Sequence, residues 1–444
     1  MSRQVLYGWG RTAPSAATVV EPQSAHDVTA HLHTSTAAIA RGLGRSYGDA
    51  AQLAGGLVMV NRELGGISPV NPRGEVTVGA GVSIDELIRE CLPQGWFVPV
   101  TPGTRQVTVG GAIAADVHGK NHHVDGSFGH HLISMELVTP TGTFTVSPTS
   151  RPELFWATVG GMGLTGVVVE ATLRMLPVET DRVLVDTQRF KDLDSVMSEM
   201  LSGDHRYRYS VAWVDCMTRG ASMGRAILTR GDHARRDQVE APTLLPPRGS
   251  RMTVPFDAPS GLLNPATIRL FNEAWYRAAP KSKVAQPQGI GSFFHPLDGV
   301  TAWNRLYGRR GFVQYQFAVP DSAGDAVRQS IETLSNSKVP SFLAVLKRFG
   351  EGTPGGLSFP MPGWTLALDL PVGPAALPQV LNDLDDIVLA AGGRVYLAKD
   401  SRLEAHKAHA MYPRLHEFAT TCQEIDPQGI LSSDLARRLQ LIRK

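Results

Sequence analysis

Three glycine-rich clusters lie in the first part of this chain: RGLGRSYGDA at 41–50, TPGTRQVTVGGAIAADVHGKNHH at 101–123 and FWATVGGMGLTG at 155–166. Glycine is used where a chain must adopt positive φ or come close to another group. Successive backbone N–H groups in such turns form nests that bind anions. A diphosphate suits a nest, because backbone donors neutralise it without a basic side chain. One cluster alone reads as an ordinary tight loop. Three in one half of a chain point to a cradle for a cofactor.

The clusters do not make a Rossmann loop. The pattern G-x-G-x-x-G/A needs a strand before the glycines and a helix after them. It occurs as GWGRTA at 8–13 and as GMGLTG at 161–166. Pro14 and the strand-like TVVEP follow the first. The second has the order reversed, with helix-like ELFWATV before it and strand-like VVVEATL after it.

Around the clusters run short β-branched segments at 57–60, 75–78 and 167–169. Ser83 followed by Glu86 predicts a capping box on a helix over 84–91. Pro152 opens a second helix, to Thr158. After Pro177 the texture changes. A helix is expected at 191–201, a strand at 209–214 and a Pro-rich loop at 241–260, which suggests a lid or substrate gate. A helix at 266–277 follows, then strands at 312–319, 342–346 and 365–370 separated by helices at 323–334 and 377–391. The tail reads as a strand from Val395 and a helix over 403–420. The 444 residues exceed what one core supports. The expectation is an α+β protein of two domains: residues 1–180, completed by 394–444, and residues 181–393.

Composition narrows the function. A net charge of +2 gives no ground for a nucleic-acid partner. Cys91, Cys216 and Cys422 are far apart and form no C-x-x-C, so neither a zinc site nor a disulfide framework is expected. The N-terminus carries no apolar leader, and no apolar run approaches the roughly 20 residues of a membrane helix. A soluble, cytoplasmic protein is expected. Peripheral attachment to the cell membrane or envelope stays open.

The clusters, in this order, resemble the FAD-binding domain of the vanillyl-alcohol oxidase superfamily. With GSFGHH, FVQYQF, LSFPMPGW, AKDSR and SSDLARRL they resemble one branch of it, the oxidase half of polyprenylphosphoryl-ribose 2′-epimerases. The resemblance covers nearly the whole chain, and HGKNHH and AKDSR are its most specific elements. It implies a two-domain flavoprotein of that superfamily's type. It further implies FAD-dependent oxidation of the 2′-hydroxyl of a lipid-linked phosphoryl ribose, with an NADH-dependent short-chain reductase as partner. The rivals are an O2-using oxidase of a free alditol or aldonolactone, and a non-catalytic protein that kept the fold.

By the same resemblance, FAD lies against Gly42, Gly44, Arg45, Ser46, Tyr47, Gly48, Pro102, Gly103, Thr104, Gly110, Gly111, Ala114, His118, Gly161, Gly163 and Ala398. The catalytic group is Lys399, His118 and Tyr47. Tyr47 stands where many superfamily members carry a His bonded to the flavin, and a phenol is a poor candidate for that bond, so non-covalent FAD is expected. Substrate contacts are expected from Lys120, Gln314, Gln316, Lys347, Tyr396, Thr365 and Ala367. A lysine suits the substrate phosphate as a point charge. Period two puts Gln314 and Gln316 on one strand face, where they either meet sugar hydroxyls or form a solvent-facing stripe. Thr365 and Ala367 depart from the family pattern, which has Asn and Cys there. The histidines at 118, 122, 123, 130 and 131 lack the carboxylates or thiols of a plausible ligand set, so no metal is expected.

Overall fold

In a computed structural model, which describes residues 2–250, 252–259 and 261–442, the first half of the chain builds two four-stranded sheets. One runs Ser2–Leu6, Ser15–Val20, Leu57–Val60, Ala38–Arg41, with an antiparallel first pair and parallel pairs after it. The other runs Glu75–Gly79, Val167–Arg174, Leu132–Thr139, Gly142–Val146 and is antiparallel throughout. GWGRTA joins two antiparallel strands. GMGLTG links the helix Pro152–Thr158 to the strand Val167–Arg174. Neither is a strand–turn–helix, as the flanking residues imply.

The expected capping box forms. Ser83 Oγ accepts from the Glu86 amide at 3.1 Å, and Glu86 Oε2 accepts from the Ser83 amide at 2.7 Å. The helix Ile84–Cys91 it opens buries Ile84, Leu87, Ile88 and Cys91. That spacing is the apolar stripe of a surface helix laid on a core.

The second half builds one eight-stranded antiparallel sheet. Its order is Ser282–Gly289, Arg182–Phe190, Ala226–His233, Tyr209–Val214, Ala344–Phe349, Gly363–Pro371, Phe312–Val319, Arg394–Val395. The helices Leu193–Gly203, Gly324–Ser337 and Leu377–Ala390 pack on it.

Some local expectations are corrected. The helix expected over 403–420 is two, Ala405–Met411 and Leu415–Ile425. Pro413 between them has no N–H to continue the ladder. The strand expected at 342–346 is Ala344–Phe349, which carries Lys347 within it. The 241–260 segment is coil except for Met252–Thr253, which pairs in parallel with Val300–Thr301; its Arg251 and Ser260 lie outside the described residues.

The C-terminal segment stitches the halves together. Arg394–Val395 is the last strand of the large sheet, and Leu431 then bridges Ala38 in the first small sheet. Near the end Arg438 donates to Asp49 at 2.8 Å and to Asp400 at 2.8 Å. Both carboxylates are buried. Removing the guanidinium leaves two buried charges with a lost partner, which costs about 3 kcal/mol. Arg438→Gln is therefore expected to lower the unfolding free energy by about that amount in denaturant titration; a change within experimental error would show that solvent already screens these carboxylates.

Candidate active site

A single cleft is lined by all three glycine clusters and by the large sheet. The first cluster contributes Gly42, Gly44, Arg45, Ser46 and Tyr47. The second contributes Pro102, Gly103, Thr104, Gly110, Gly111, Ala114 and His118, and the third contributes Gly163. Gln314, Gln316, Lys347, Ala367, Tyr396, Ala398 and Lys399 complete the wall.

The glycine half of this wall fits a bound dinucleotide. A Cβ at Gly103 would meet nothing in the protein within 4 Å, so the bare backbone there faces cleft space. Gly44 and Gly163 hold φ of +62° and +78°, which side chains rarely adopt. Asn61 Oδ1 and Arg45 Nε lie buried on the cleft-lining residues with no partner among the described residues. Buried polar atoms are nearly always paired, so two orphans on one cleft wall mark where a polar ligand belongs.

The other half concentrates titratable groups. His118 sits among Phe349, Phe359 and Tyr396, with ring centroids 4.8, 5.9 and 5.6 Å away. Burial first, and then the charge of Lys347, hold its pKa well below the usual histidine value. Lys347 Nζ is 3.0 Å from its Nδ1, and Gln316 Nε2 is 3.0 Å from its Nε2. A neutral imidazole has one N–H. The Gln316 amide nitrogen can only donate, so His118 Nε2 accepts and the ring N–H sits on Nδ1, facing Lys347, which accepts it as a free amine. Burial pushes the Lys347 ammonium down to about 7, helped by the charges of Lys399 and Lys120. Gln316 also donates to Thr365 Oγ1 at 3.1 Å, and Thr365 donates to the Phe317 carbonyl at 2.8 Å.

Lys399 lies over the Tyr47 ring, 4.0 Å from its centroid. Burial lowers its pKa, and the charge of Asp369 opposes the shift. Burial raises the Tyr47 phenol well above its ordinary value, which keeps it protonated. The Tyr396 hydroxyl donates to the Ala115 carbonyl at 2.6 Å, tying the large sheet to the second glycine cluster.

Not every expected residue reaches the cleft. Gly48 packs against the Asp400 backbone and Gly161 against the Ala157 carbonyl, so both serve close packing. Thr365 is fully buried behind Gln316. Lys120 turns away: its ammonium lies 4.3 Å from the Phe293 ring centroid and donates to the Phe293 carbonyl. The other histidines hold loops. His122 accepts from the Gly350 amide at 3.1 Å, His123 bonds the Tyr207 carbonyl at 2.9 Å, His130 accepts from the Ser127 amide at 3.2 Å and His131 bonds the Asp125 carbonyl at 3.0 Å.

Two acids escaped the sequence reading. Asp369 accepts from Gln314 at 2.5 Å and from the Tyr307 hydroxyl at 3.3 Å. It pairs in register with Gln314 and follows Thr365 and Ala367 at period two, a spacing that could have found it. Asp116 is fully buried at φ +39° and accepts from the Gly129 amide, Thr353 and Ser358 at 2.9, 2.8 and 2.6 Å. It anchors the turn that presents His118. Nothing local in the sequence reports those partners, two of which lie more than 230 residues away.

Comparison with known proteins agrees with this geometry. Residues 16–147 match the FAD binding domain family. The chain is 44% identical to the decaprenylphosphoryl-β-D-ribose oxidase of Mycolicibacterium smegmatis, over 98% of this chain and 97% of that one. It is 41% identical to an uncharacterised protein of Streptomyces coelicolor, over 81% of this chain and all of that one. Cytokinin dehydrogenase 8 of rice is 31% identical over 35% of this chain and 33% of its own.

Lys120 also carries a stability consequence. Burial pushes it from 10.5 down to about 7. Between those values the folded state binds fewer protons than the unfolded state, so stability rises with pH across that window. Lys120→Met should flatten the rise between pH 7 and pH 9 by up to about 1.4 kcal/mol per pH unit. Denaturant titrations of both proteins across that range measure it, and equal slopes would mean that this ammonium is solvated.

Proposed function

The chain belongs to the decaprenylphosphoryl-β-D-ribose oxidase family, in the vanillyl-alcohol oxidase superfamily of FAD-linked enzymes, and on that premise we propose that it oxidises the 2′-hydroxyl of a polyprenylphosphoryl-β-D-ribose to the 2′-keto sugar. The observation that carries the reading is one cleft joining the glycine cradle to Lys399, His118, Lys347, Gln314 and Gln316. We take residues 1–180, completed by 394–444, as the FAD-binding part and 181–393 as the substrate part, although the strand Arg394–Val395 pairs with the substrate sheet.

Bound FAD supplies the hydride acceptor. The cradle would hold its diphosphate through backbone around Gly42–Ser46 and Pro102–Gly111, with Asn61 and Arg45 as further polar contacts. The chain's own task is to manage the proton and the charge. Lys399, with its pKa lowered by burial, accepts the hydroxyl proton as a free amine. As an ammonium it then balances negative charge in the cleft. Gln314 is held by Asp369 and Gln316 by Thr365 and His118, so both amides are oriented before sugar hydroxyls arrive. Gln316 sets the tautomer of His118, and Lys347 meets its Nδ1. Ala367 leaves the wall without a thiol, so a ligand that reacts with a cysteine there should not label this protein.

FAD is bound non-covalently in this reading. Tyr47 stays a protonated phenol, committed to Phe312 at a centroid distance of 5.4 Å and to Lys399. An NADH-dependent short-chain reductase consumes the ketone and completes epimerisation to an arabinose donor for cell-wall arabinan. Such a substrate places the enzyme at a membrane surface.

Anaerobic mixing with a polyprenylphosphoryl ribose should bleach the flavin absorbance, and Lys399→Ala should slow bleaching by about a hundredfold or more. A flavin that stays oxidised with this substrate but bleaches with free alditols or aldonolactones would replace the substrate. Acid precipitation should leave the yellow colour in the supernatant; a yellow pellet would mean a covalent bond.

A further inference from the structure

The exposed apolar side chains are concentrated in one stretch of the chain. Most of the large hydrophobic side chains that stand in solvent fall between residues 245 and 284. On the helix Pro265–Ala278, Leu270, Phe271 and Trp275 are 73%, 40% and 52% exposed. Phe271 and Trp275, four residues apart, share one side, and their rings are stacked at 6.1 Å. Met252 and Phe256 are exposed on the segment before it. Exposed apolar side chains gathered in this way mark an interaction site.

This crest borders the cleft mouth. Ser250 donates to the Gly299 carbonyl at 2.9 Å, Met252–Thr253 pairs with Val300–Thr301, and the Ala258 amide donates to the Arg305 carbonyl at 2.9 Å. Leu297 and Trp303, beside and within that stretch, line the cleft. On the other side Phe271 packs on Phe342 at 4.8 Å, and the next residue, Leu343, lines the cleft too.

Charge indicates what covers the crest. Residues 244–284 hold six lysines and arginines against two acids. Both acids are taken up by ion pairs, Asp257 with Arg11 and Glu273 with Arg225 and Arg277. Arg248, Arg269, Lys281 and Lys283 remain exposed. No helix among the described residues is long and apolar enough to cross a membrane. Exposed aromatic and aliphatic side chains on a stretch with an excess of exposed cations match an interfacial surface that lies on anionic lipid.

We propose that this crest docks the protein on an anionic bilayer, seating the cleft mouth at the surface so that a polyprenyl chain stays in lipid while its sugar phosphate enters. The proposal rests on the polyprenylphosphoryl ribose reading for its occupant, but its test does not depend on turnover. The holoprotein is sedimented with vesicles of phosphatidylglycerol and phosphatidylethanolamine. Wild type is expected to pellet, less so as salt is added. Phe271→Ser combined with Trp275→Ser should weaken binding by about tenfold or more, while bleaching by a short-chain, water-soluble phosphoryl ribose stays unchanged. Wild type that stays in the supernatant, or a variant that binds as well, overturns the docking surface even where bleaching is intact. A dimer formed by wild type in place of vesicle binding, and lost in the variant, overturns it as well. Vesicle binding that is lost in the variant, with no bleaching in either protein, upholds the surface and overturns the substrate reading.

Discussion

The site depends on one junction. The Tyr47 amide donates to the Ala398 carbonyl at 3.0 Å, and Arg438 grips Asp49 and Asp400 on either side of that bond. Two loops 351 residues apart at that bond are thereby pressed together. One is the first glycine cluster and the other is AKDSR. Tyr47 then lies under Lys399, and the cofactor cradle faces the large sheet. Without the junction the glycine nests and the polar strand face would both exist, but not as walls of one cleft.

The cleft is built with an excess of positive charge. Lys399, Lys347 and Arg45 line it, and Lys120 stands close enough for its charge to lower Lys347. The opposing carboxylates are Asp369 beside Lys399 and Asp298 beside Arg45, both raised by burial. Enclosed cations of this kind are costly unless something anionic arrives. Both expected ligands, the FAD diphosphate and the sugar phosphate, bring negative charge. The same cost leaves the lysines ready to lose protons near neutrality, which is what an alcohol-oxidising site needs from them.

Much of the fold was legible, because local rules govern most of its elements. Ser83 with Glu86 names its own helix start, Pro152 opens its helix, and the strands at 209–214 and 312–319 follow their apolar runs. The break at Pro413 was equally legible in principle. The site was legible only in part. The glycine clusters and AKDSR carry the cofactor side on their face, whereas the direction of a side chain does not follow from its motif. Lys120 shares HGKNHH with His118, yet only His118 lines the cleft. Asp369 stands in an unremarkable strand and gains its place only by pairing opposite Gln314.

What the sequence determined by itself is the chemistry on offer: three glycine-rich turns, a set of lysines and amides, and a family resemblance that extends over the chain. These rest on local backbone preference and on residue type, which a linear text records. Tertiary structure alone decided which groups share a cavity. It turned Lys120 into an apolar corner, coupled Lys347 to His118, drew Asp116 and Asp369 into supporting roles, and left Phe271 and Trp275 uncovered beside the mouth. Those outcomes depend on burial and on contacts between residues hundreds of positions apart, and burial sets the energy of every charge involved.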